Sequence, residues 1–77
     1  MANDIVDVTV HIDEALDHAR LETVAERVRK GPGIASAVFH DTKAHFLLVR
    51  YDPSKIGSEG VHRLVTEQGV HAELIGL

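Results

Sequence analysis

A chain of 77 residues, 44% hydrophobic and 26% charged, has room for one domain, near the size at which a single core only just offsets the entropy of ordering its backbone; this composition excludes disorder, collagen-like repeats and coiled coil. It contains no cysteine, which rules out disulfides, thiolate zinc sites, iron–sulfur clusters and cysteine nucleophiles. The net charge is −4 with histidines neutral and neither predicted helix carries a basic stripe, so the counterion release that drives nucleic-acid binding is small or unfavourable and no nucleic-acid partner is expected.

Met1-Ala2-Asn3-Asp4 has no basic residue and reads as neither a secretory nor a transit leader, which leads to the expectation of a cytoplasmic protein. No apolar run approaches the roughly 20 residues that span a bilayer, so no membrane insertion is expected. From Ile5 to Ile12, Val6, Val8, Val10 and Ile12 alternate with Asp7, Thr9 and His11, the period of a half-buried strand. After Asp13, a segment ending near Lys30 places Leu21, Val24, Ala25 and Val28 at helical spacing, with Glu22, Glu26, Arg27 and Arg29 on the other side. Gly31-Pro32-Gly33 stops that helix, because proline cannot continue the ladder and glycine accepts a left-handed cap.

Ile34 to His40 forms a second strand, Asp41-Thr42-Lys43 a turn, and Ala44 or His45 to Tyr51 a third strand. Asp52-Pro53 breaks it. Ser58 is the expected N-cap of a second helix with Val61, Leu64 and Val65 on its buried stripe, Gly69 ends the helix, and Val70 to Ile75 alternates as a fourth strand. The order β-α-β-β-α-β is the ferredoxin-like split βαβ pattern: an α+β sandwich with a four-stranded antiparallel sheet, order 4-1-3-2, and both helices on one face. The helix-facing side is then Val6, Val8, Val10, Ala37, Phe39, Leu47, Val49, Tyr51, Ala72 and Leu74. The open side carries Thr9, His11, Val38, His40, Phe46, Leu48, His71, Glu73 and Ile75.

Val8-Thr9-Val10, Gly33-Ile34-Ala35-Ser36-Ala37, Val49-Arg50-Tyr51-Asp52-Pro53-Ser54 and Gly69-Val70-His71-Ala72 together resemble the heavy-metal-associated (HMA) domain, across nearly the whole of residues 1–77. That family includes copper chaperones, mercury-binding proteins and modules of metal-transporting ATPases. Its functional motif, Met-x-Cys-x-x-Cys between the first strand and first helix, is missing: the resemblance sets Asp17 and Arg20 at the two cysteine positions. Soft ions prefer sulfur and a guanidinium stays protonated, so copper(I) bound by a CxxC pair is excluded. Asp17 reads as a helix N-cap and Arg20 as a solvated helix residue.

Six histidines are the main remaining carriers of chemistry. If strand four sets Asp7 against Ile75, it also sets Thr9 against Glu73 and His11 against His71, with directly opposed Cβ atoms about 4.5–5.5 Å apart. His11 and His71 are thus the expected pair of a metal site, with Glu73, His40 and His45 as further candidates; imidazole and carboxylate suit zinc, nickel, cobalt or copper(II). His18 lies near the same end, and His62 is expected to be exposed on helix two. Val38, Phe46, Leu48 and Ile75 form an apolar patch on the open face, expected to meet a second copy or another protein; the edge strands offer another route to association. No phosphate loop, stacking-aromatic set or placed nucleophilic triad occurs, so no enzymatic activity is expected. Two functions follow from the sequence: a small soluble HMA-like protein handling or sensing a divalent metal through histidines, or a metal-independent interaction or homodimerisation module.

Overall fold

The computed structural model describes residues 4–41 and 45–76, with His40 and Asp41 described by their backbone alone. Its elements run β1 Val6–Ile12, α1 His18–Arg29, β2 Ile34–Asp41, β3 Phe46–Tyr51, α2 Ser58–Thr66 and β4 Ala72–Gly76. The four strands form one sheet in the order β2-β3-β1-β4, with every neighbouring pair antiparallel. This is the expected 4-1-3-2 order read from the other edge. The expected turn residues Thr42, Lys43 and Ala44 lie outside the described residues.

The period-2 pattern of the strands and the helical stripes meet in one core. Val8, Val10 and Ile12 from β1, Ala37 from β2, and Leu47, Val49 and Tyr51 from β3 are buried against Leu21, Val24, Ala25 and Val28 of α1 and Val61 and Val65 of α2. Burying each of the valine, leucine and isoleucine side chains among them contributes about 1.5–3 kcal/mol. Phe39 and Ala72 are only partly buried at the margin of this core. Val6 and Leu74 have the predicted parity, but both are exposed, Val6 at the start of β1 and Leu74 on the edge strand β4.

Polar contacts fix the helices onto this layer. Asp17 is the N-cap of α1, its Oδ1 accepting from the Arg20 N–H at 2.8 Å. At the other end Arg29 Nε donates to Ala37 O at 2.9 Å, tying the last turn of α1 to β2. Gln68 Nε2 reaches both Val24 O and Leu64 O, joining the two helices. Ser58 does not cap α2: Gly57 holds that position, because the first helical bond runs from Val61 N to Gly57 O, and Ser58 becomes the first residue inside the helix.

Two junctions set the sheet's ends. Gly33, at φ 75°, turns the chain from α1 into β2, and its carbonyl accepts from Asp52 N at 2.8 Å. Asp52 is buried, and its Oδ1 accepts from both Ser54 N and Ser54 Oγ, closing the turn after β3. At the opposite end, Ile12 N donates to His45 O and Asp13 N donates to His71 O. Those two bonds extend β1 between its neighbours and bring the histidine-bearing segments together.

Candidate metal centre

β1 emerges from the sheet with His11 and Asp13 two residues apart, a spacing that puts both on the same strand face. That is the face opposite Val10 and Ile12, which are buried. β4 supplies the third group, because His11 is paired with Glu73. His11 Nδ1 lies 3.0 Å from Asp13 Oδ1, and His11, Asp13 and Glu73 each offer a donor atom within 4.8 Å of the other two. Metal–ligand bonds of about 2.1 Å at about 90° place neighbouring donors about 3.0 Å apart, which is the His11–Asp13 separation. The longer reach to Glu73 is within the range of its flexible side chain.

The expected pairing of His11 with His71 is corrected by the register. β4 is displaced by two residues: Val10 pairs with Leu74, His11 with Glu73 and Ile12 with Ala72, with a bulge before Thr9 meets Gly76. The Asp13 N–H to His71 carbonyl bond continues this register beyond β4, and Glu14 holds His71 there. The His71 N–H donates to Glu14 Oε1 at 2.9 Å, and its Nδ1 lies 3.3 Å from Glu14 Oε2. The His71 backbone N–H, then its ring, keep the Glu14 carboxyl below its ordinary pKa. His71 therefore stands beside the cluster, bound to a neighbouring carboxylate, and is not part of it.

The remaining candidates divide. His45 has the left-handed φ of 55°, and its Nε2 lies 3.4 Å from Leu16 O, where the Nε2–H tautomer donates. It shares with His11, Asp13, Glu14 and Phe46 the wall of a shallow cleft, next to the donor cluster and outside it. The His40 side chain lies outside the described residues. His18 is the exposed first residue of α1. His62 is not the exposed residue expected: it is half-buried, with Nε2 2.7 Å from Ala72 O. That carbonyl belongs to an edge strand, where one side of the backbone has no sheet partner, and the imidazole fills the vacancy as donor.

Asp13 and Glu14 were missed by sequence reasoning. The signal for Asp13 was present in His11-x-Asp13, two chelating groups at strand period, but it could be weighed only with the extent of β1 in hand. The Phe46 ring packs against His11 at a centroid distance of 5.1 Å, tilted by 50°, so the imidazole is bounded on one side by apolar surface. Of the predicted patch, Val38 is 48% and Ile75 56% exposed, while Leu48 and Phe46 are half-buried.

At the positions where the resemblance puts two cysteines, Asp17 is occupied by capping and Arg20 Nη2 donates to Gln68 O at 2.9 Å. Arg20 is exposed, as expected, but it also links the start of α1 to the turn after α2. No family model and no curated protein sequence matches the chain. Solved structures do match. A copper-binding domain from HMA7, a P-type ATPase, superposes with a TM-score of 0.84 at 17% identity, over 91% of this chain and 93% of that one. Oxidised MerP from Ralstonia metallidurans CH34 gives 0.83 at 15% identity, over 92% and 97%. The N-terminal soluble domains of Bacillus subtilis CopA give 0.81 at 17% identity; the match covers 92% of this chain and 48% of that longer one. The chain therefore has the fold of heavy-metal-associated domains, without a cysteine to form their thiolate motif.

Proposed function

We propose that this chain is a divergent HMA-type binding domain that takes a divalent metal ion through imidazole and carboxylate in place of two thiolates. The observation that carries the reading is the convergence of His11, Asp13 and Glu73 on a fold shared with a copper-binding domain and with MerP, which has been determined in a mercury-bound form. One nitrogen and two carboxylate oxygens form a borderline-to-hard donor set, suited to zinc, nickel, cobalt or copper(II) and poorly suited to copper(I) or mercury(II). His71 and Glu14 act beside it, holding the Asp13 segment against the start of β4 through the backbone. The role is binding and handling of the ion, not catalysis.

Titration of the metal-free protein with zinc, nickel and cobalt, followed by amide and imidazole NMR shifts or paramagnetic broadening, tests this reading. Saturable changes centred on His11, Asp13 and Glu73, lost in His11→Ala and in Glu73→Gln with the fold unchanged, are the expected result. Diffuse changes with no saturation, or saturation unaltered in both variants, refute it. The exposed Val38 and Ile75 favour a second reading in which the open face is a metal-independent interaction surface; that reading gains if the titration is flat and the chain associates without metal.

A further inference from the structure

We propose that the His11, Asp13 and Glu73 corner binds its ion jointly with the same corner of a second copy of the chain, so that a divalent metal joins two open sheet faces into a homodimer. This rests on the metal reading above and adds to it the partner that completes the coordination shell.

The three donors all come from one side. His11 and Asp13 are about a third exposed, 35% and 37% at the side chain, and Glu73 is exposed, so all three donors can be reached from solvent. A six-coordinate divalent ion takes three ligands from such a corner and needs three more. Among the described residues the neighbouring imidazoles do not supply them: His45 Nε2 is set on Leu16 O and His71 Nδ1 on Glu14, and neither joins the cluster. A two-fold-related copy brings a matching set of one nitrogen and two oxygens, because an isologous contact presents the same residues from both sides. The ion then lies on the axis, shared between two chains.

Charge and apolar surface select a second copy over bulk water. Each corner carries the Asp13 and Glu73 carboxylates with Glu14 alongside, in a chain of net charge −4, so two metal-free corners repel. The Arg50 guanidinium of this face is engaged at the far end of the sheet, 3.2 Å from Asp7. A shared dication removes half of the charge of the four converging carboxylates, and the repulsion becomes an ion bridge. The apolar surface abuts the ligands directly: the Phe46 ring lies against His11, and Val38, Leu48 and Ile75 continue the face away from it. Exposed aliphatic surface of this kind is removed from water when two faces meet. Neither feature suffices alone, so dimerisation is tied to the metal.

Sedimentation equilibrium and calorimetric titration of the full chain with nickel, cobalt or zinc test the proposal. The expected result is a mass of 8.4 kDa in chelator, doubling with metal, at one ion per two chains and with a dimer dissociation constant lowered at least tenfold. Cobalt should show the weak visible absorption of a six-coordinate site. The double variant Val38→Asp, Ile75→Asp should retain ion binding but shift it to one ion per chain with the monomer mass, whereas Glu73→Gln should lose both binding and dimer. One ion per chain on an unchanged monomer of the unmodified protein overturns the shared site and leaves the metal reading standing. No saturable binding overturns both, and an equal dimer in chelator overturns the coupling to metal.

Discussion

Replacement of Gly33 by alanine tests the junction on which the sheet's far end depends. The backbone there has φ 75°, a region that costs an L-residue about 1–2 kcal/mol. A Cβ built at the site lies 2.7 Å from the Lys55 Cβ and 3.2 Å from the Ile56 Cγ2. The Lys55 Cβ is not the free end of a side chain, and its own backbone is pinned by Lys55 N donating to Asp52 O. Relief therefore requires the turn from Asp52 to Ile56 to move, against the Asp52 N to Gly33 O bond of 2.8 Å; such overpacking costs about 1–3 kcal/mol. The sum is about 2–5 kcal/mol. For a domain of this length each kcal/mol lowers Tm by about 4–8 °C, so Gly33→Ala should melt at least about 8 °C below the parent protein. Gly69 is the control: it has φ 85° but nothing within 4 Å of a built Cβ, so Gly69→Ala carries the backbone cost alone, about 1–2 kcal/mol. Urea unfolding followed by far-UV circular dichroism measures both. Equal losses in the two variants would refute the packing argument, and a loss below about 0.5 kcal/mol at Gly33 would refute the backbone argument as well.

Asp17→Ala should cost about 1 kcal/mol through the lost cap, read as a lower urea midpoint with unchanged slope, and Asp17→Asn should restore most of it; no loss in the alanine variant would mean that the 2.8 Å bond to Arg20 N contributes nothing in solution. The pH dependence has a definite sign. Ser54 Oγ and then Ser54 N hold the Asp52 carboxyl below its ordinary pKa, and His71 does the same for Glu14. A carboxylate whose folded pKa is depressed stabilises fully above its unfolded value, about 3.9–4.3, and loses that contribution as pH falls through the folded value. The urea midpoint should be nearly level between about pH 7 and pH 5 and fall below about pH 4; Asp52→Asn should fall less steeply, and parallel acid limbs would show that Asp52 is not among the groups responsible.

The order of elements and the composition of the two sheet faces were legible because they depend on periodicity: alternation marks β1, β3 and β4, and helical spacing marks Leu21, Val24, Ala25 and Val28. The alignment of β4 on β1 was not. A shift of two residues preserves every side chain's face, so the pairing of His11 with His71 and the observed pairing with Glu73 give the same hydrophobic pattern. What distinguishes them is the Asp13 N–H to His71 carbonyl bond together with Glu14 capturing the His71 N–H, contacts made by a loop that has no periodicity to read. His62 illustrates the same gap. Helical spacing placed it outside the stripe of Val61, Leu64 and Val65, but the demand for a donor to Ala72 O comes from an edge strand and is invisible until the strand is docked.

The absence of the thiolate motif and the presence of a donor corner belong to one structural account. A CxxC pair needs the residues before and at the start of α1 to remain available to an ion. Here the first of those positions is a capping aspartate and the second an arginine that reaches across to Gln68 O, so both are committed to holding α1 in place. Placing metal ligands at that loop would require removing contacts that stabilise the helix. The end of β1 carries no such obligation. Its inward residues, Val10 and Ile12, are buried in the core, which leaves His11 and Asp13, paired with each other, on the opposite face, and the register of β4 delivers Glu73 to them. A donor set of nitrogen and oxygen at that position differs from a thiolate loop in the ions it prefers. It opens onto the sheet surface, where Val38 and Ile75 are also exposed, and for that reason ion binding and association between chains are best measured on the same sample.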